Sequence, residues 1–288
     1  MHIFRPSRRQ LMAGVVVCLS CARFFAGSSE PTLTKEQIKQ FLPTAKVVKS
    51  ERSKKGIADT WRLTLSDGTL THDASFQSID EHRPKMQLAS GPELNFVDSY
   101  RYNIAAYQLA ELLGIDDMLP VYVERDWRGK AGSLSWWLPV KMDEVERHKQ
   151  NLTPPDKDAW SNQMYKIRVL DQLVYDTDIN LTNVLIGKDW KIWRIDFTRA
   201  FRWSKDLRNP KDLVRCDRQL FERLKALDED ELADYLVICG RASVHSMYAA
   251  SATLESPLDS SKYIIAQLVS PAQRSLMQRF QLSPSFAH

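Results

Sequence analysis

No apolar run in this chain is long enough to cross a bilayer, and no tract of Gln, Ser or acidic residues interrupts it. A membrane span needs about 20 predominantly apolar residues and a disordered chain needs a biased composition, so both classes are excluded. Glycine is scarce, 10 in 288 residues, which rules out a collagen-like repeat. The six histidines are scattered without ligand spacing, and neither a CxxC pair nor an HExxH helix occurs, which excludes the common zinc sites. An excess of one charge is lacking too. The 40 Lys and Arg stand against 36 Asp and Glu, and residues 1–28 hold Arg5, Arg8, Arg9 and Arg23 with no acid. The remainder is formally neutral, 36 against 36, which argues against nucleic acid or an anionic bilayer as the main partner.

Residues 1–28 have the order of an export signal: a basic stretch, an apolar run from Leu11 to Ala22, then small residues around Ala26-Gly27-Ser28. Ser7-Arg8-Arg9-Gln10-Leu11-Met12 resembles a bacterial twin-arginine signal, with Leu11 where that motif usually has Phe. The expected location is therefore the bacterial periplasm or the cell exterior. Cys18-Leu19-Ser20-Cys21 departs from a lipoprotein box, having Cys where Leu is usual, which leaves lipid anchoring at Cys21 a secondary expectation. After cleavage only Cys216 and Cys239 remain, either as one disulfide or as two buried thiols.

Thr34-Lys35-Glu36-Gln37 is a capping box opening a helix to about Leu42, where Pro43 is expected to end it. β-forming stretches over 45–49, 60–65 and 69–79 then predict an antiparallel meander. Val97, Tyr100, Ile104 and Tyr107 follow a helical period, predicting a helix over 97–113 that stops at Gly114. Strands are expected over 118–124 and 133–140. Residues 29–140 thus read as a small, β-rich α+β lobe, and the charged stretch 141–159, with Pro154-Pro155, as a linker. Residues 160–288 read as a mainly helical lobe. A helix ends near Tyr175, a polar loop covers 176–183, and a hairpin over 184–195 leads into Asp196. Further helices are expected over 220–227, 229–238, 264–268 and 271–280.

The loop and hairpin carry the chemistry. Asp178 lies five residues before Asn183, and the hairpin returns Asp196 beside the loop. Phosphoryl transfer needs a carboxylate to orient the attacking hydroxyl, and a carboxylate with an amide oxygen to hold a divalent cation on the nucleotide phosphates. Asp178-Ile179-Asn180-Leu181-Thr182-Asn183 and Ile195-Asp196-Phe197-Thr198 resemble the catalytic loop and metal-binding segment of the protein-kinase-like superfamily. The resemblance is to its atypical branches: HipA-type, CotH-type and Golgi secretory kinases, and the phosphoinositide kinases. It implies a two-lobed fold, ATP or another nucleotide with Mg or Mn, and transfer to a protein or small-molecule hydroxyl. It makes Asp178 the catalytic base and Asn183 and Asp196 the metal ligands. Gly56 falls in the turn over the nucleotide. Trp136 and Trp137 fall on the hinge strand, where alternation lets only one face the cleft.

Two positions depart from the family pattern. The third strand, where the resemblance puts Lys, has Gln77, and the following helix, where it puts Glu, has Asn103. Loss of the Lys alone would strand a buried Glu at about 3–5 kcal/mol, whereas two amides can hydrogen-bond to one another. A replacement cation is available from Lys54 or Lys55, unless these join Lys46, Lys49 and Arg52 in a solvated basic hairpin. The paired replacement also admits a pseudokinase, which keeps the fold as a nucleotide sensor or protein-binding module without turnover. Asp176 reads as a loop cap, and Arg199 and Arg202 as partners of a substrate phosphate or of a structural carboxylate.

Overall fold

The structure, a computed structural model, describes residues 33–53, 60–89, 91–202, 207–227 and 273–278. The chain separates into two units, Met1–Leu33 and Thr34–His288, and every element below belongs to the second. The export signal, Cys21, Lys54, Lys55, Gly56, Cys239 and the helices expected over 229–238 and 264–268 lie outside the described residues.

Helix α1 (Lys35–Thr44) opens on the expected capping box: the Gln37 N–H donates to the Thr34 hydroxyl at 3.2 Å and the Thr34 N–H to Gln37 Oε1 at 2.8 Å. It continues through Pro43 to Thr44, because so close to the end the proline forfeits only one ladder bond. The meander follows as β1 (Lys46–Arg52), β2 (Thr60–Ser66) and β3 (Thr71–Gln77).

Next comes a ribbon that the sequence did not announce: β4 (Asp80–Leu88) and β5 (Gly91–Ser99), among the described residues paired only with each other. Helix α2 (Arg101–Leu113) therefore starts four residues later than expected, and Val97 is a strand residue opposite His82. Cross-strand pairing overrides the helical spacing of Val97 and Tyr100. Gly114 closes α2 with φ +65°.

Strands β6 (Tyr122–Trp127) and β7 (Lys130–Trp136) complete a five-stranded antiparallel sheet in the order β1-β2-β3-β7-β6. One face carries Leu63, Leu65, Ala74, Phe76 and Leu134, all buried, and packs under α1. The other carries Arg62, Thr64, Asp73, Ser75, Gln77, Ser133 and Ser135.

Residues 141–159 are not a linker. They hold β8 (Val140–Asp143), hydrogen-bonded to β9, and α3 (Glu144–Lys149), capped by the Asp143 carboxylate at the Glu146 N–H, 2.9 Å away. Helix α4 (Lys157–Leu173), capped by Asp156, leads to the polar loop over 176–183. The strands β9 (Val184–Gly187) and β10 (Ile192–Arg194) form the expected hairpin, and α5 (Arg218–Ala226) has its last carbonyls taken by Gln273 Nε2 at 2.6–2.7 Å. The architecture is α+β, a β-rich lobe followed by a mainly helical one. No helix among the described residues is long and apolar enough to cross a membrane.

Candidate active site

The loop between α4 and β9 is built by its own side chains. Asp176 accepts the Asp178 N–H at 2.9 Å, and Asn180 accepts the Thr182 N–H at 3.0 Å, so two short polar residues set consecutive turns. These turns leave Asp178 exposed while burying Asp176 and Asn183. The β9–β10 register then extends one step further: the Ile195 N–H donates to the Asn183 carbonyl at 3.0 Å, which sets Asn183 opposite the residue before Asp196.

Arg194 ties this frame together. Its side chain is wholly buried; Nε donates to Asp171 Oδ1 at 3.1 Å, and the guanidinium also reaches Asp176, the Ile195 carbonyl and, at 3.4 Å, the Asp196 carbonyl. One cation thus joins the end of α4, the start of the loop and the backbone around Asp196. Burial pushes the Asp171 carboxyl up to about 6 and that of Asp176 in the same direction, although Arg194 pulls both down.

Asp196 sits in the left-handed region at φ +63°, a strained place for a residue with a side chain. Its carboxylate accepts the Thr198 hydroxyl at 3.1 Å, and burial raises its pKa. Burial, with the Asp196 charge beside it, raises the pKa of the Tyr122 hydroxyl from β6.

The expected amide pair is formed. Asn103 Nδ2 donates to Gln77 Oε1 at 2.8 Å and to Ser133 Oγ at 3.2 Å, while its Oδ1 accepts the Phe197 N–H at 2.7 Å. Asn103 is completely buried, so it latches β3, β7 and the segment after Asp196 without a charge. The two tryptophans separate as alternation requires. Trp136 points away from the Gln77 face, its ring stacked on His72 at 3.5 Å and against Phe41 at 5.9 Å. Trp137 lies on the Gln77 side beneath the Arg62 guanidinium, 4.3 Å from its ring centre, and Arg62 is held by Asp73 with Nε at 2.7 Å.

Arg199 and Arg202 pair with a structural carboxylate, Glu93 of β5. Arg202 reaches it at 2.8 Å and also donates to the Asn95 and Val97 carbonyls at 2.9 and 2.7 Å. Together with Ser99 N–H to Thr198 carbonyl at 2.8 Å, these bonds fasten the ribbon to the segment after Asp196.

No protein-family model and no curated protein sequence matches the chain. Among solved structures, that of hydra Fam20 with sugar is similar at a TM-score of 0.53 and 15% identity, over 85% of this chain and 89% of that one. The Golgi casein kinase is similar at a TM-score of 0.50 and 12% identity, over 87% and 76%. The chain has a protein-kinase-like fold. Identities this low establish the fold alone.

Within the kinase-like fold, the donor set suits a divalent cation. Asn183 Nδ2 is buried without a hydrogen-bond partner, and half a turn of that amide presents its oxygen in the same place. Among the described residues no three His, Cys, Asp or Glu side chains gather into a metal site, so an ion here needs the amide and phosphate oxygens to complete its shell. Sequence reasoning missed the roles of Asp171 and Arg194. A cation in the apolar strand Ile192-Trp193-Arg194 was a signal for the last; Asp171 gave none. Cys216 is half-buried, its thiol pushed up to about 12 by burial, which makes it inert.

Proposed function

We propose that this chain is an atypical kinase-like phosphotransferase that takes a nucleotide with Mg or Mn between the Gln77 face of the sheet and the catalytic loop. Support comes chiefly from one observation: the Ile195–Asn183 backbone bond brings Asn183 beside Asp196 while the neighbouring turn leaves Asp178 open to solvent. The bound cation would neutralise phosphate charge. Asp178 orients the acceptor hydroxyl and takes its proton as the acceptor oxygen bonds to the terminal phosphorus and the bond to the nucleoside diphosphate breaks. Asn183 and Asp196 hold the cation, Trp137 offers its ring to the base, and Gln77 lines the phosphate side, held from behind by the buried Asn103. A protein hydroxyl is one acceptor class, in keeping with the casein kinase to which the fold is similar. Export to the periplasm or cell exterior belongs to the same reading.

The test is the thermal midpoint of the chain with and without ATP and Mg or Mn, alongside Asp196→Ala. A ligand that binds only the folded state raises the midpoint. A metal-dependent rise lost in Asp196→Ala supports the reading; no rise with any nucleotide, from folded protein, sinks it. A second reading, nucleotide binding without turnover, is favoured by the Gln77–Asn103 bond, which places two neutral amides where a phosphate-binding cation is expected. ADP release in the presence of acceptors separates the two.

A further inference from the structure

We propose that Asp98, at the end of β5, is a second carboxylate of the metal site, meeting Asp196 from the β-rich lobe. The inference rests on the kinase-like reading of Asp196. Asp98 Oδ1 is buried and accepts no hydrogen bond, while the nearby Thr198 hydroxyl donates to Asp196 Oδ1 at 3.1 Å. A hydroxyl carries one proton, so this donor, spent on Asp196, leaves Asp98 Oδ1 unserved. The convergence is fixed by backbone, since the Ser99 N–H, next to Asp98, donates to the Thr198 carbonyl at 2.8 Å.

The guanidiniums nearby are engaged elsewhere. Arg194 bonds Asp171 and Asp176, and Arg199 and Arg202 bond Glu93, so Arg199 acts on Asp98 only through space while Glu81 and Asp178 repel it. Two half-buried like charges without a directly bonded cation are costly, and a divalent ion between them removes the cost. The choice of Asp98 follows from Asn103. Helix α2 brings no carboxylate to this site: the position where the resemblance puts Glu is an amide whose oxygen is spent on the Phe197 N–H, and the helix's Glu111 pairs with Lys39. Asp98, three residues before that helix, supplies one instead.

The test uses the 288-residue chain and Mn²⁺ alone or with ADP, with affinity read from the free-Mn²⁺ electron paramagnetic resonance signal and stability from the thermal midpoint. Asp98→Asn is expected to weaken Mn²⁺ at least tenfold and to raise the metal-free midpoint, since it removes the repulsion. Asp98→Cys is expected to weaken Mn²⁺ likewise while gaining Cd²⁺ affinity over the parent, because thiolate prefers the softer ion. A merely structural Asp98 would move neither preference. If Asp98→Asn binds Mn²⁺ within twofold of the parent, or Asp98→Cys gains no Cd²⁺, while Asp196→Asn loses Mn²⁺, Asp98 is no ligand and the kinase-like reading stands. If the parent chain binds no Mn²⁺ with or without ADP, both fall.

Discussion

Replacing Arg194 with Met keeps most of the side-chain volume and removes the charge that balances Asp171 and Asp176. All three side chains are at most 5% exposed, so the two carboxylates cannot turn to water. Stranding a buried partner costs about 3–5 kcal/mol, and the Ile195 and Asp196 carbonyls lose a charged donor besides. Total stabilities are about 5–15 kcal/mol, so the variant should be close to unfolding at neutral pH. The loss depends on pH with a definite sign. A carboxyl raised in the folded state contributes stability that is complete below its unfolded value, near 3.8, and is lost as pH rises through the folded one. For Asp171 that window already ends at about 6 in the parent, and without the guanidinium it extends upward. The penalty of Arg194→Met should therefore be smallest near pH 5, where the Asp171 carboxyl is largely protonated in both proteins, and grow by up to about 1.4 kcal/mol per pH unit for each carboxylate toward pH 8. Urea unfolding followed by tryptophan fluorescence at the two pH values measures it. Adding Asp176→Asn to the variant should recover part of the loss, whereas alone it should destabilise. A penalty under about 1 kcal/mol, or one equal at both pH values, would refute the assignment of Arg194 as the charge balance of the loop.

Asn103→Leu should cost at least about 1–3 kcal/mol in urea unfolding, because the buried Phe197 N–H loses its acceptor; a neutral result would mean that water replaces the amide. Asn103→Glu alone should destabilise by about 3–5 kcal/mol and recover when Gln77→Lys is added, as measured by the thermal midpoint of single and double variants. Equal midpoints for the Glu variant with and without Lys would show that the two side chains do not meet. Trp136→Ala should lower stability by about 2–3 kcal/mol, less than a fully buried ring, and leave any nucleotide-dependent midpoint shift intact. Trp137→Ala should do the reverse, and equal effects of the two would contradict their placement on opposite faces of β7.

The central sheet was legible because its pattern is local: Leu63 and Leu65 alternate with Arg62 and Thr64, and Ala74 and Phe76 with Asp73 and Ser75. The loop over 176–183 was legible for a similar reason, since Asp176 and Asn180 make turns with residues two positions away. The β4–β5 ribbon was not. Asp80–Leu88 contains Pro84 and no clean alternation, and strand pairing that depends on main-chain bonds leaves little trace in side-chain chemistry. Its anchor, Glu93 to Arg202, spans 109 positions. The 141–159 stretch offered a signal that its charge and prolines masked: Asp143 three residues before Glu146 is a helix start, and the structure uses it as one.

The site was readable as a set of residue types and unreadable as a charge balance. From sequence, Arg194 beside Asp196 suggests that the carboxylate has a ready cation. The hairpin register turns Arg194 inward with Ile192, toward Asp171 and Asp176, so one positive charge meets two negative ones before Asp196 is considered. Among the described residues, none of Asp98, Asp178 and Asp196 forms an ion pair. That deficit is global: it follows from which guanidinium goes to which carboxylate across 18 to 109 positions, and no short window of sequence contains it. On the proposed reading, phosphates, themselves anions, enter beside these carboxylates only together with a cation. The neutral Gln77–Asn103 pair sharpens the requirement, because the protein charge that ordinarily meets the phosphates from the sheet is missing at that position. Nucleotide without metal is therefore expected to give no thermal shift at all, and a shift of equal size with ATP in excess chelator would break the link between this charge deficit and the way the cleft is used.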